Sequence, residues 1–370
     1  MTAPLRIGID ARAAAEVPGG RGRVVRELIA VLGRIDHPHE IVLYARERWD
    51  GAPDDERMRW SLRAQPDPVW HLRVAGAASR SCDVYYSTNS YLTAWFTLIP
   101  TVVLVCDMIT YRPELLPQGR SRAIERATLP LAIRRAASFV AISQATADDL
   151  AERFPAARSR TSVVALAADA RYAAAGAGPP PSADRLRRAG VEGPYVLGVG
   201  TLEPRKNLPR LIEAFATLPG DVRAGRTLVL VGAVGWDTDE TLSSIARHAD
   251  VVRAVGSVAE ADLPALYRGA DLVACPSLYE GFGLPVLEAM AAGTPVLTSD
   301  RSSLPEVAGD AAILVDPTDV ASIRAGLARA LGDEGLRAAL SARGRERARD
   351  FSWERCARET LAVLEQAARR

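Results

Sequence analysis

Lysine is almost missing from this chain. Of its 46 basic residues one is lysine, Lys206, and asparagine is nearly as scarce, with only Asn89 and Asn207 in 370 residues. An Ala- and Arg-rich chain that has shed Lys and Asn carries the mark of a GC-rich coding background, which presses equally on every exposed lysine. The tetrapeptide Pro204-Arg205-Lys206-Asn207 resists that pressure twice in succession. A site that needs a compact ammonium point charge, which the planar guanidinium fork does not reproduce, accounts for the lysine. Survival by chance at an exposed turn is the alternative.

Other absences narrow the class. Cys82, Cys106, Cys275 and Cys356 lie far apart with no C-x-x-C pair, which disfavours both a zinc site and a disulfide framework and fits a reducing cytoplasm. No uninterrupted apolar run reaches the roughly 18 residues of a membrane span, and the start of the chain shows no apolar run of signal-peptide length. A net charge of +1 with 25% charged residues lacks the basic domain of a nucleic-acid binder. His37, His39, His71 and His248 have no metal spacing and read as loop or surface residues. A cytoplasmic globular protein without a nucleic-acid partner is expected; composition is silent on its oligomeric state.

What the chain does have is alternation. Its 370 residues exceed the roughly 250 to 300 at which one core stops growing, so two domains are expected. Apolar strands are predicted at Arg6–Asp10, Glu40–Ala45, Val84–Thr88, Thr101–Asp107, Ser138–Ser143 and Thr161–Leu166, with helical stretches between most of them. Ala173–Ala183, with three consecutive prolines, reads as a semi-rigid linker. The alternation then restarts at Tyr195–Thr201, Thr227–Gly232, Val251–Gly256, Leu272–Ser277, Pro295–Ser299 and Ala311–Asp316, and the chain finishes in long helices. The reading is α/β: two doubly wound, Rossmann-like domains, 1–172 and 189–352, joined by a linker at 173–188. In such sheets ligands bind outside the carboxyl ends of the strands, so a shared cleft is expected.

Three other motifs have simpler readings than a ligand site. Neither "GVGTLE" nor "PGGRGR" has the G-x-G-x-x-G spacing of a dinucleotide fingerprint. Asp237-Thr238-Asp239 looks like an acid-x-acid metal motif, but capping of the helix that follows by Asp or Thr is the simpler account. Arg120–Ala137 interleaves arginines with apolar residues at helical spacing; it reads as a solvated helix face, with attraction to anionic lipid head groups as the second reading.

The informative stretch is "SLYEGFGLPVLEAM", Ser277 to Met290. Gly281 and Gly283 let the backbone approach a ligand, and Pro285 suits the first helical position. The amides around Gly283 and Leu284 then open a helix N-terminus to an anion. Glu288 is placed on the first turn, where complementing the helix dipole would explain it; Glu280, upstream, has no such explanation. Carboxylate, anion-binding backbone and carboxylate match a ligand presenting sugar hydroxyls, a diphosphate and a ribose in that order. Arg205 and Lys206, after the first strand of the same domain, supply the cations a diphosphate needs.

At these residues the chain resembles the retaining, nucleotide-sugar-dependent glycosyltransferases of family 4, with the GT-B fold, and within them the mannosyltransferase-like branch that builds bacterial polysaccharides and glycosylated metabolites. The likeness runs from "GIDARAAAEVPGGRGRVVREL" through "YVLGVGTLEPRKNLPRLIEAF" to "FSWERCARETLAVL". It implies a donor site in which Glu280 meets the sugar hydroxyls and Glu288 holds the ribose. The backbone of Gly281, Phe282, Gly283 and Leu284 would meet the diphosphate and sugar, Arg205 and Lys206 would neutralise the leaving phosphate, and the backbone near Val258 would hold the base. Gly20 and Gly22 would face the donor phosphates and the acceptor. The resemblance also implies that the last helix, about 353–370, packs back on the first domain. Asp107 joins Glu280, Lys206 and Arg205 in the catalytic set, with Cys106 and Asn89 on the sugar or acceptor side.

Two positions depart from the family. Thr201 stands where many relatives carry Arg, a charge that Arg205 takes over. Cys106-Asp107 replaces the usual His-Asp, in which the His lies near the donor's 6-hydroxyl; a 6-deoxy donor would fit this change, as would drift or loss of activity. The activity implied is retaining transfer of a hexose, mannose-like or 6-deoxy, from a nucleoside-diphosphate sugar. The acceptor would be a hydroxyl of a saccharide, a lipid-linked saccharide or a metabolite. No cofactor is implied and a divalent metal is expected to be dispensable, with peripheral contact at the inner membrane face left open. A nucleotide-sugar epimerase and a catalytically silent sugar-nucleotide binder are the rivals, and Cys106 favours the second of these.

Overall fold

The computed structural model describes residues 3–17, 19–112, 115 and 120–370, the side chains of 120–122 excepted. Its elements sort into two compact units. Unit 1 holds residues 3–112, 120–166 and 352–370, and unit 2 holds 167–351.

Unit 1 carries a seven-stranded, wholly parallel sheet of β1 (Arg6–Asp10), β2 (Glu40–Ala45), β3 (Met58–Leu62), β4 (Val84–Ser87), β5 (Thr101–Val105), β6 (Ser138–Ala141) and β7 (Thr161–Val163). The spatial order is β3-β2-β1-β4-β5-β6-β7, so the winding reverses between β1 and β4. The central strands are apolar because helices cover both faces. β3 did not register as a strand in the sequence: it is an edge strand of half-exposed, mixed residues, MRWSL, paired only with β2. β7 also stops at Val163, short of the expected Leu166. The final helix, Trp353–Ala368, is capped by Ser352 and buries Trp353, Cys356, Ala357, Leu361 and Leu364 within unit 1.

Unit 2 repeats the design with β8 (Tyr195–Val199), β9 (Thr227–Val231), β10 (Val252–Gly256), β11 (Leu272–Cys275), β12 (Val296–Ser299) and β13 (Ile313–Val315), in the order β10-β9-β8-β11-β12-β13. Here the reversal falls between β8 and β11. The helix Leu208–Ala216 shows how local pattern becomes core: Leu208, Leu211, Ile212 and Phe215, at i, i+3, i+4 and i+7, are all buried on one stripe. Each such side chain contributes roughly 1.5–3 kcal/mol by leaving water.

The expected linker is part of unit 2. Its Ala- and Gly-rich portion forms the helix Ala170–Ala177, capped by Asp169, and Ala183–Arg188 forms another, capped by Ser182. A Cβ at Gly176 would stand 2.6 Å from the carbonyl oxygen of Ala291, and buried Tyr172 meets Tyr267 edge-on with ring centroids 5.2 Å apart. Small residues here allow close helix packing, a use that composition alone does not separate from flexibility.

Three histidines expected at the surface are buried instead: His37, His39 and His71. His39 pairs with Glu365 of the final helix at 3.0 Å. His71 lies between Thr93, 2.6 Å from Nδ1, and Asp67, 3.2 Å from Nε2. The helix Asp239–Arg247 has no side-chain cap from Thr238; Asp239 and Glu240 complement the dipole from its first turn. In the helix Arg120–Arg135 the apolar residues Leu129, Ala132 and Ile133 are buried in the core of unit 1, leaving the described basic residues on the solvated side.

Candidate active site

In unit 2 the candidate residues gather at the carboxyl ends of β8 and β11, the strands on either side of the reversal, where open α/β sheets bind ligands. After β8 the chain makes the tight turn Pro204–Lys206 and passes through Asn207 in a left-handed conformation, φ 60°, before the helix from Leu208. Asn tolerates this region better than most residues. It is also the brace of the turn: its Nδ2 donates to the carbonyls of Pro276, 3.0 Å, and Pro317, 2.6 Å. The second scarce residue type in the chain thus ties the β8 turn to the segments after β11 and β13. A Cβ at Gly200, φ 141°, would stand 2.8 Å from Lys206 Cε, so the glycine leaves room for the lysine stem.

These two devices aim the cations at Glu280. Lys206 Nζ donates to Glu280 Oε1 and Arg205 Nη1 to Oε2, both at 2.6 Å, and Ser277 Oγ donates to Oε1 at 3.0 Å. Glu280 is 7% exposed and Lys206 8%. Burial alone would raise the Glu280 carboxyl; Arg205 and then Lys206 outweigh it and hold it down at about 2. At neutral pH it is therefore a fixed hydrogen-bond acceptor with no proton to give. Arg205 Nε also approaches Glu203 Oε1 at 2.5 Å, while burial pushes the Glu203 carboxyl up.

Downstream, Ser303 Oγ donates to the carbonyls of Glu280, 2.9 Å, and Phe282, 2.8 Å, fixing the turn that contains Gly281. Gly283, φ 107°, caps the helix Leu284–Ala291 and its carbonyl accepts from the amides of Val286, 3.0 Å, and Leu287, 3.2 Å, while the Leu284 amide precedes the first intrahelical bond. Glu288 differs from expectation. It lies beyond the first turn and is buried, and the hydroxyl of Tyr267 donates to its Oε2 at 2.9 Å. Orientation by a buried phenol replaces the dipole explanation. Val258 stands apart from this group: with Arg188, Gly190, Arg253, Ser257 and Asp262 it lines a cavity of about 530 Å³ to which none of Arg205, Lys206, Glu280 or Glu288 contributes.

In unit 1 the candidates likewise follow the carboxyl ends of β1, β4 and β5. Gly20 and Gly22 form the first turn of the helix Gly20–Leu32 rather than a free loop. A Cβ at Gly22 would stand 1.7 Å from the carbonyl oxygen of Val17, so this glycine is required by the chain's own close approach. Asn89 is half-buried in the turn after β4. Asp107 Oδ1 accepts from the amide of Ile109 at 3.0 Å and so holds the turn after β5. Burial pushes the Cys106 thiol up, which keeps it neutral, against the opposing pull of the neighbouring Arg21 guanidinium. Arg21, between the two glycines, did not stand out in the sequence, because only the fold brings it to Cys106.

Two families match this chain. Residues 186–347 match the family described as Glycosyl transferases group 1, and residues 18–171 the one described as Glycosyltransferase Family 4. The chain is 34% identical over 307 residues to the O-antigen chain mannosyltransferase B of Escherichia coli, covering 82% of this chain and 76% of that protein. The chain belongs to glycosyltransferase family 4.

This glycosyltransferase is also 36% identical over 266 residues to a D-inositol 3-phosphate glycosyltransferase of Salinispora arenicola, covering 68% of this chain and 59% of that one. Among solved structures, Anabaena HepE in complex with UDP and glucose superposes with a TM-score of 0.76 at 20% identity, over 98% of this chain and all of the other. That likeness establishes the GT-B fold. Mannosyltransferases among its relatives place this glycosyltransferase with the mannosyltransferase-like members of the family.

Proposed function

We propose that this glycosyltransferase moves a mannose-like or 6-deoxy hexose from a nucleoside-diphosphate sugar to a hydroxyl of a saccharide or metabolite, with retention of configuration. The observation that carries the reading is the Glu280 carboxylate held by Lys206 and Arg205 at 2.6 Å each, at the reversal point of the unit 2 sheet. An ammonium has three donors and a guanidinium five, so each cation can hold Glu280 and still face a diphosphate. Glu280, ionised and acceptor-only, suits donor-sugar hydroxyls, and Glu288, oriented by Tyr267, suits the ribose. The amides from Gly283 and Leu284 add anion-binding dipole.

In this mechanism the protein supplies no nucleophile. The acceptor hydroxyl attacks from the face the diphosphate leaves, its proton passing to the departing phosphate. Arg205 and Lys206 stabilise the charge that develops there, a role in which preorganised donors are most effective. The test is donor-dependent release of nucleoside diphosphate with and without acceptor, after a calorimetric panel of nucleoside diphosphates selects the base. Glycosylated product supports transfer; an isomerised donor with no such product would indicate an epimerase, and tight binding without turnover a silent homologue. Nucleotide-activated mannose run against its 6-deoxy analogue decides the sugar, and a clear preference for mannose would sink the 6-deoxy reading.

A further inference from the structure

Four segments of unit 1 converge beside Cys106 on a set of side chains that the donor site of unit 2 does not use, one of which, Tyr91, also packs against the core. Arg21 comes from the first turn of the helix Gly20–Leu32, Tyr91 from the start of Leu92–Phe96, Thr110 from the turn Ile109–Tyr111, and Glu125 from Arg120–Arg135. An Arg21 guanidinium nitrogen lies 3.6 Å from Glu125 Oε1, and these side chains are 31% and 36% exposed. Thr110 Oγ1 donates to the other Glu125 oxygen at 2.5 Å. Cys106, Tyr91, Glu125 and Asp107 are the electrostatic neighbours of Arg21. Outside its own turn of helix, a Cβ at Gly20 would meet no described atom within 4 Å, so the backbone beside Arg21 is open.

We propose that Arg21 and Glu125 form the acceptor-reading pair of this enzyme, and that the acceptor they take is a neutral saccharide rather than a phosphorylated polyol. The inference rests on the glycosyl-transfer reading above. A guanidinium only donates and a carboxylate only accepts; a pyranose hydroxyl does both, so adjacent hydroxyls of a neutral sugar can satisfy the two groups together. A phosphate only accepts and is anionic. At Arg21 it would meet a cation already matched by Glu125, with Asp107 as a second carboxylate nearby, and like charges in a partly desolvated site repel. The neutral Cys106 thiol adds no charge to this face. Thr110 braces Glu125 and makes it a preset acceptor.

The test uses the full-length enzyme and the donor selected by the diphosphate panel, with methyl α-mannoside and D-inositol 3-phosphate as acceptors. Product is measured by mass spectrometry, and donor hydrolysis without acceptor is followed in parallel. Wild type is expected to favour the mannoside by at least about tenfold in kcat/KM. Glu125→Gln should raise the mannoside KM about tenfold while donor KM and acceptor-free hydrolysis stay within twofold. Arg21→Leu should do the same and Arg21→Lys should recover part of the loss. Thr110→Val, which removes only the brace, should give a smaller rise in the same constant. Equal or better use of the phosphorylated polyol by wild type overturns the substrate class, and an acceptor KM within twofold of wild type in both Glu125→Gln and Arg21→Leu overturns the pair. No nucleoside diphosphate release by wild type with any donor overturns the transfer reading and this inference with it; intact hydrolysis with unchanged acceptor constants overturns this inference alone.

Discussion

At the carboxyl edge of the unit 2 sheet, Glu280 is 7% exposed and held at 2.6 Å by two cations. At the same edge of the unit 1 sheet, Arg21 and Glu125 stand 3.6 Å apart with about a third of each side chain in water, 31% and 36%. A buried charge must be fully paired because desolvation is expensive, and the pairing then makes it rigid. A half-exposed pair is held weakly and can exchange its partner for a ligand hydroxyl. Changes in the first cluster should therefore damage stability and turnover together. Changes in the second should move selectivity with little effect on folding.

The largest effect that separates the two is expected from Lys206→Ala. Removing a preorganised donor from the leaving phosphate costs about 3–4 kcal/mol, or roughly 10² to 10³ in kcat. Breaking a buried pair destabilises by about 3–5 kcal/mol, which the remaining Arg205 contact lessens. Turnover and urea unfolding measured on the same preparation test both halves. Turnover within about threefold of wild type removes Lys206 from the mechanism, and a comparable stability loss from Arg21→Leu would break the contrast between the edges.

Acid titration sharpens it further. Glu280, held at about 2 against an ordinary 4.5, contributes stability that is complete above its unfolded value and lost as pH falls toward 2. At about 1.4 kcal/mol per pKa unit this is on the order of 3 kcal/mol. In unit 1, burial and then Arg12 lower the His71 imidazole to about 4 from 6.5. The native state holds it neutral, so that stability is present above 6.5 and lost as pH falls from there toward 4. Unit 1 is expected to weaken first and unit 2 later. Trp70, edge-on to His71 with centroids 5.2 Å apart, reports on unit 1, and Trp236 is the one tryptophan of unit 2. Glu280→Gln should flatten the lower limb alone; an unchanged limb would mean that the carboxylate is not the group lost there.

How much of this was readable from residues alone differs between the two edges. The unit 2 strands are short apolar runs bounded by glycine or proline, and Arg205, Lys206, Glu280 and Glu288 sit in motifs whose order already suggested a sugar nucleotide. The partners were not readable. Tyr267 reaches Glu288 from another helix, Asn207 braces a turn through carbonyls 69 and 110 residues away, and Arg21 meets Cys106 only because β1 and β5 are brought near β4 in the sheet. β3 was missed because a half-wet edge strand has no apolar run, and the Ala- and Gly-rich helix before Gly178 because close packing and flexibility use the same residues. The histidines were misplaced for a related reason: His71 is tolerated in a core by hydrogen bonds to Thr93 and Asp67 that lie far away in sequence or across a turn.

A smaller effect tests whether the closure of unit 2 extends to Glu288. Tyr267→Phe deletes one hydrogen bond to a buried carboxylate, worth about 1–3 kcal/mol. Binding of the selected nucleoside diphosphate should weaken about tenfold by calorimetry, with the fold intact by circular dichroism. A Kd within twofold would show that Glu288 is aimed by its packing and not by the phenol.

The smallest expected effect is that of a chelator. Arg205, Lys206 and the helix N-terminus after Gly283 already supply the positive field that a divalent ion would bring to a diphosphate. Turnover in excess EDTA is therefore expected to stay within about twofold of turnover in magnesium. A tenfold loss restored by magnesium would mean that Glu280 keeps both cations to itself when the donor binds. The buried cluster would then be a structural ion pair.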